Sequence, residues 1–443
     1  MNIFEKIKQI ESRKLEFKEQ LPQGSAFLKI VSAFANGAGG ELIIGISDKK
    51  RRIVGVDDPL LIEEQIMNCV HDGVYPPVSP FCTIITIQKR TLLSIRILSG
   101  SNKPYYIKSK GVDKGTFVRI GSTNRLADSQ VVQELKRQVT GLAFIDEIDF
   151  QHQNISFNNK SLNIFFDIMG MVDNSKDTLV KLNIVKRNNG DQLPTIAGLL
   201  LFGSPDLSEY DYACVRFSRF AGITLQNLLE TRSFKIPLTQ IVEPLCNDIV
   251  ALLPKESVFD GTRRIEQSII PFAAIREVVI NAIVHRDYSI KGSSIKINLF
   301  DDRLEVISPG VLPGNLDISD LGTGLSESRN RTLVRVFRHL GLMEELGTGI
   351  ARIFKLYKER ELKPPVLLEQ GQFFKVILSQ QKENVNLSTA ITDAIHHQGP
   401  RSAAQLADQL DVHRNTVLKH LKKLILKGKI KKNGSGRKTL YDQ

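Results

Sequence analysis

Residues 10–58 read IESRKLEFKEQLPQGSAFLKIVSAFANGAGGELIIGISDKKRRIVGVDD, and three signals follow one another within them. LEFK alternates apolar Leu15 and Phe17 with charged Glu16 and Lys18, the pattern of a half-buried strand. AFLKIVSAFAN is a helical run that stops at Asn36-Gly37. Gly39-Gly40 then opens ELIIGIS, a β-branched strand that ends close to Asp48. Such an αβ unit can bring Glu11, Glu16 and Asp48 to one edge. Glu11 and Glu16 are five apart, so they do not share a helix face and must come from a helix end and the strand after it. Clustered carboxylates repel unless a cation neutralises them, and Mg²⁺ or Mn²⁺ prefers such oxygen ligands. The other reading is structural: Glu16 and Lys18 form an exposed ion pair, Asp48 is a turn residue, and Asp57-Asp58 caps or turns the chain before Pro59.

Outward from this stretch, 443 residues are too many for one ordinary core and imply two to four domains. With 42% hydrophobic and 24% charged residues, the composition is that of a globular protein with little room for extended disorder. No apolar run is long enough to cross a bilayer, and the N-terminus lacks the apolar core of a secretory signal. Cys69, Cys82, Cys214 and Cys246 are scattered and form no CxxC pair, which argues against a zinc or disulfide framework and for a reduced cytoplasmic setting. The net charge of +12 is concentrated at the two ends, roughly +7 in residues 1–140 and again in 390–443. Such ends either attract phosphate through counterion release or are simply solvated surface.

PLLIEEQIMNCVHDGV continues the first domain as a helix, FCTIITIQ and TLLSIRIL as strands, and GSNKPYYIKSKGVDKGTFVRIGSTNR as a glycine-punctuated hairpin region. Lys18, Lys108, Lys110, Lys114, Arg119 and Arg125, with Tyr105 and Tyr106, form a candidate basic surface with aromatics for stacking bases. Alternatively Tyr105 and Phe117 pack in the core.

ESRKLEFKE, VSAFANGAGGELIIGISD, IVGV, KPYYIKSKG and KGTFVRIGSTNR, in this order over most of residues 10–128, resemble the Schlafen/AlbA-type domain of bacterial regulators and vertebrate Schlafen proteins. The resemblance implies a nucleic-acid-binding αβ domain. In nuclease members two early glutamates and an aspartate after the glycine-rich strand form a metal-dependent RNA-cleaving site, and those positions fall on Glu11, Glu16 and Asp48.

In the middle region QVVQELKRQVTGLAFIDEI reads as a connecting helix, DTLVKLNIV as a buried helix, LPTIAGLLLFG as a strand interrupted at Gly198, and ACVRFSRFAG as a strand. PFAAIREVVINAIVHRDYS places Glu277, Asn281 and His285 four apart on one helical face, with apolar residues on the others. Without further context that polar face is either solvated or functional. SSIKINLF and RLEVISPG follow as a hairpin turned at Asp301-Asp302. With ISPG, LPG and GTGI (Gly347–Ile350), this helix resembles the divergent GHKL-type ATPase module. The resemblance implies that Asn281 holds Mg²⁺ against nucleotide phosphates, that Glu277 orients the attacking water, and that Gly310, Gly347 and Gly349 line the nucleotide. Ser308-Pro309-Gly310 replaces the usual DxGxG segment, which removes the carboxylate that reads the adenine amino group. A degenerate nucleotide fold used for dimerisation or ligand sensing therefore stands beside an ATPase that binds ATP.

Residues 388–443 carry a three-helix pattern. Gly399-Pro400 ends the first helix, Ser402 caps AAQLADQL, Asp411-Val412 turns, and HRNTVLKHLKKLILKG is the third helix before a basic hairpin around Gly434-Ser435-Gly436. The whole segment resembles the bacterial winged helix. In that fold the residues opening the third helix enter the major groove, here Arg414, Asn415 and Thr416 with Lys419 further on, while Lys432 and its neighbours track phosphates from the wing.

The expected architecture is α/β (α+β) and multidomain: a Schlafen/AlbA-type αβ domain over 1–138, a connector and GHKL-like αβ sandwich over 139–387, and a winged helix over 388–443. The expected function is a nucleic-acid-binding, transcriptional regulator, homo-oligomeric, cytoplasmic and without a membrane partner, whose middle module senses a nucleotide or the oligomeric state. The alternative is a metal-dependent endoribonuclease cutting RNA or tRNA, in phage defence or stress, at Glu11, Glu16 and Asp48. No GxxxxGK[ST] loop occurs to support a helicase motor.

Overall fold

The computed structural model describes residues 3–442 apart from 48–50, 153–156, 171–175, 204–207, 236, 261–262, 315, 345–346, 384–386, 411, 427 and 435–438. The chain forms two compact units: Met1–Glu359 with Pro365–Gln380, and Arg360–Pro364 with Gln381–Gln443.

The N-terminal part of the large unit is a four-stranded sheet in the order Leu15–Lys18, Gly40–Ile44, Arg90–Ile97, Phe81–Ile87; the first pair is parallel and the others antiparallel. The parallel pair needs a crossover, and helix Ser25–Asn36 supplies it, with nine of its residues buried. Helix Pro59–Gly73 packs Ile66 and Val70 into the same core. Its N-cap is Asp58, whose carboxylate accepts the Leu61 amide, so this aspartate is the cap expected before Pro59.

Asn36 does more than end a helix. Its Nδ2 donates to the carbonyls of Tyr105 (2.7 Å) and Phe117 (2.9 Å), and its Oδ1 accepts the Tyr105 amide (2.7 Å). Ser32 Oγ donates to the Tyr105 carbonyl and accepts the Phe117 amide. These two polar side chains thereby join the helix to both basic, aromatic segments, and Tyr105 and Phe117 are buried in the core.

Six strands form the sheet of the middle region, in the order Leu228–Phe234, Val215–Phe220, Ile295–Leu299, Arg303–Pro309, Phe373–Ser379, Val366–Gln370. The Asp301-Asp302 turn joins the third and fourth as expected. Helix Phe272–Val284 packs on this sheet with eight buried side chains and ends one residue short of His285, which is its C-cap. LPTIAGLLLFG is a helix, Ile196–Phe202, rather than a strand: Thr195 caps it by accepting the Gly198 amide, and all seven residues are buried. A short apolar run buried on every side has no period from which to tell the two apart. Gly198 marks a close approach, since a Cβ there would lie 2.2 Å from the Ile184 carbonyl oxygen.

The small unit has helices Leu387–Gln398, Ala403–Gln409 and Arg414–Leu426 and a two-stranded wing, Lys431–Asn433 with Leu440–Asp442. Ser402 and Gln405 form a reciprocal capping box on the second helix. Leu406, Val417, Leu421 and Leu424 are buried in its core with Leu410 against them. Leu362 pairs with Lys382, so this unit begins a few residues before 388 and takes in a short upstream segment. Among the described residues, no helix is long and apolar enough to cross a membrane.

Candidate functional site

Glu11 and Glu16 are both bonded within the N-terminal fold. Glu16, on the first strand, is buried, and its Oε2 lies 2.6 Å from Arg119 Nη1; Lys18 Nζ is 3.3 Å from its other oxygen. The Glu16–Lys18 pair therefore exists, but Arg119 is the nearer partner. Glu11 Oε1 accepts the Phe17 amide at 2.9 Å and fixes the entry to the strand. Arg119 was expected on the basic surface; it is buried instead, donating from Nε to the Ser12 carbonyl and from Nη2 to that of Leu15, with its guanidinium 5.0 Å from the Phe34 ring. Burial pulls its pKa below the ordinary arginine value, against the opposing pull of Glu16. The reason for the burial is local: in Phe117–Ile120 the alternation that sends Phe117 into the core sends Arg119 with it. A divalent ion at Glu16 would have to displace this guanidinium. Asp48 lies outside the described residues, and no group of three metal-ligating side chains occurs among the described ones.

Lys108, Lys110, Lys114 and Arg125 are exposed, as a phosphate-facing surface requires. Lys108 Nζ donates to the His71 carbonyl at 2.9 Å, which anchors this lysine to the neighbouring helix end. Lys18 is half-buried beside Glu16.

The middle module brings together residues that are far apart in sequence. Glu277, Asn281, His285, Ser308, Gly310, Gly347 and Gly349 all line one pocket of about 320 Å³. Asn281 Nδ2 donates to Glu277 Oε1 at 3.0 Å, an i,i+4 pair along the helix, which leaves the amide oxygen of Asn281 as the acceptor for a cation. Gly349 is the first residue of helix Gly349–Glu359, and a Cβ there would stand 1.8 Å from Glu277 Oε1, so only glycine lets the carboxylate reach this helix start. Gly310 has φ +108°, and a Cβ on it would strike Arg329 and Asp287. Ser308, at the departure from DxGxG, donates its hydroxyl to the Ala282 carbonyl at 2.9 Å and so faces the helix backbone.

His285 has a buried Nδ1 with no hydrogen-bond partner among the described residues, and its pKa is lowered to about 4 by burial and by Arg329 nearby. It is a neutral imidazole at the pocket wall. Nothing in the residue pattern flags the device that holds it. Arg286 is fully buried and donates to the carbonyls of Asp287, Tyr212, Ile290 and Ser293, clasping the turn that follows the helix. Asn330 donates to the carbonyls of Val284 and Arg286 from the other side. Arg329 is structural too, donating to the His285 and Val311 carbonyls.

In the small unit, Arg414, Asn415, Thr416 and Lys419 are exposed on the third helix and Lys432 on the wing; Arg437 and Lys438 lie outside the described residues.

With this geometry in place, family models match three stretches of the chain in turn. Residues 11–128 match "Schlafen, AlbA_2", residues 292–378 match "Putative ATP-dependent DNA helicase recG C-terminal", and residues 389–427 match "Helix-turn-helix domain". The order is the one that the sequence resemblances imply, and the mixed α/β architecture agrees with it. Nucleic acid is the partner that the first and last matches support. Among solved structures, the DIP2311 protein from Corynebacterium diphtheriae is similar at 18% identity, covering 93% of this chain and 87% of that one with a TM-score of 0.45. The N-terminal domain of a "Putative ATP-dependent DNA Helicase RecG-related Protein" from Nitrosomonas europaea matches at 26% identity over 28% of this chain and 90% of that one, with a TM-score of 0.24.

Proposed function

We propose that this chain is a nucleic-acid-binding regulator, transcriptional in action, that contacts duplex DNA through helix Arg414–Leu426 of its small unit. The carrying observation is the division of that helix: Val417, Leu421 and Leu424 are buried, whereas Arg414, Asn415, Thr416 and Lys419 are all exposed. Arginine and asparagine at the start of such a helix can bond base edges in pairs, and lysine further along holds phosphate. The middle pocket serves as the sensor. Its carboxamide, carboxylate and glycine-edged helix start suit a nucleoside phosphate with Mg²⁺, held by Asn281 and oriented by Glu277. Binding as a homo-oligomer would double the DNA contacts and match a two-fold operator.

Fluorescence anisotropy of the full chain with labelled duplex tests the reading. The expected result is binding that weakens steeply as salt rises, because each neutralised phosphate releases counterions. Binding indifferent to salt, or none to any duplex, sinks it.

A further inference from the structure

Between Glu11 and Glu16 lie Ser12, Arg13 and Lys14. Arg13 is buried, and its Nη1 donates to the carbonyls of Leu312 and Leu316 (3.3 Å each) and to Glu369 Oε1 (3.0 Å). The same Glu369 oxygen accepts the Leu312 amide at 2.8 Å. Lys14 Nζ sits 2.6 Å from Asp320 Oδ2, which also accepts the Asp317 amide at 2.8 Å. Burial works against the Asp320 charge, but Lys14 and the Asp317 amide hold its carboxyl below the usual range. Leu312, Leu316 and Leu321 are walls of the pocket. On its other side the segment is held by Arg119 through the Ser12 and Leu15 carbonyls.

One short segment is therefore bonded to the N-terminal domain through Arg119 and to the pocket rim through Arg13 and Lys14. A buried guanidinium cannot be left without acceptors at small cost. If the rim shifts to accept a ligand, either the segment follows or the Arg13 bonds break. The two therefore favour the same arrangement, which is the requirement for coupling between sites.

We propose that Arg13, assisted by Lys14, couples the pocket to the N-terminal domain, so that a ligand in the pocket sets the order of residues 11–17. The proposal rests on the reading of the pocket as a ligand site, and the ligand class is the nucleoside phosphate named above. Reciprocity follows: whatever binds and orders residues 11–17 tightens the pocket for its ligand by the same factor.

Hydrogen exchange of the full chain, read by mass spectrometry over peptides covering 11–18 and 311–321, tests it in two arms. Without ligand, Arg13→Ala should speed exchange by about tenfold or more in both peptides, because the shared bonds protect both. Arg13→Lys, which keeps the cation but lacks the planar guanidinium that reaches the Leu312 and Leu316 carbonyls and Glu369 together, should do so to a smaller extent; it replaces the alanine variant if that fails to fold. Faster exchange at 311–321 alone, with 11–18 unchanged, overturns the link. In the second arm, Mg²⁺ with a non-hydrolysable ATP analogue should protect both peptides in the parent and only 311–321 in Arg13→Lys. Protection of 311–321 alone in the parent overturns the coupling. Protection of neither peptide counts against a nucleotide pocket, and the first arm still decides the link.

Discussion

Two polar clusters in the large unit look alike in sequence and differ in structure. Glu11 and Glu16 sit beside Arg119, with the guanidinium supplying the positive charge that a metal would supply. Glu277, Asn281 and His285 line an open pocket, where a carboxamide donates to a carboxylate and the imidazole Nδ1 has no partner among the described residues. The first cluster is closed by the protein's own cation, and its removal should be a stability event. The second has room and unfilled bonding capacity, and changes there should be felt by a ligand. Residue type alone does not separate a site from a structural ion pair; the partner does.

The largest effect that sharpens this contrast belongs to Arg119. Replacing it by Met leaves Glu16 buried without its main partner, so urea unfolding should show a loss of about 3–5 kcal/mol. A loss under about 1 kcal/mol, the range of exposed pairs, would mean that the cluster is wet and open to a metal after all.

Next is Asn36→Ala, which strands the Tyr105 amide and the Phe117 carbonyl and leaves the Tyr105 carbonyl to Ser32 alone. It should lower stability by about 2–3 kcal/mol without altering the pocket, as the same melts read out. LEFK, the helical run and the glycine-led strand were all legible in the sequence, because each follows a simple period and ends on a standard stop. The role of Asn36 was not, since a helix-ending Asn-Gly looks the same whether the amide faces water or two distant strands. Arg119 was misplaced for the same reason: its alternation with Phe117 is visible, but a buried arginine needs knowledge of Glu16 across the fold. Around the pocket, the four-residue spacing of Glu277 and Asn281 and the glycines were readable, and these residues do converge. Arg286 and Asn330 act through backbone carbonyls, and Arg13 does so in part; carbonyls leave no mark in a sequence.

A smaller effect comes from His285. Its folded pKa of about 4 lies below the ordinary 6.5, so as pH falls the unfolded chain takes up the proton first. The contribution to stability is complete above pH 6.5 and is lost as pH falls towards 4. His285→Gln should flatten that part of the stability profile measured by thermal or urea melts; an unchanged slope would place the ring in water. Smallest in stability is Glu277→Gln, expected within about 0.5 kcal/mol of the parent, since its carboxylate is half-buried and, among the described residues, neutralises no buried cation. Calorimetric titration with Mg²⁺-nucleotide should nevertheless show binding altered in this variant, whereas a melt shifted as far as that of Arg119→Met would erase the contrast.

The small unit offers the third kind of polar surface, basic and exposed, and the functional account depends on it. Anisotropy of the full chain on labelled duplex DNA, between about 50 and 200 mM salt, compares the parent with the double variant Arg414→Ala, Lys419→Ala. The account predicts affinity at least about tenfold weaker in the variant and a log–log salt slope shallower by about one to two. Equal affinity and equal slope in the two proteins would contradict it.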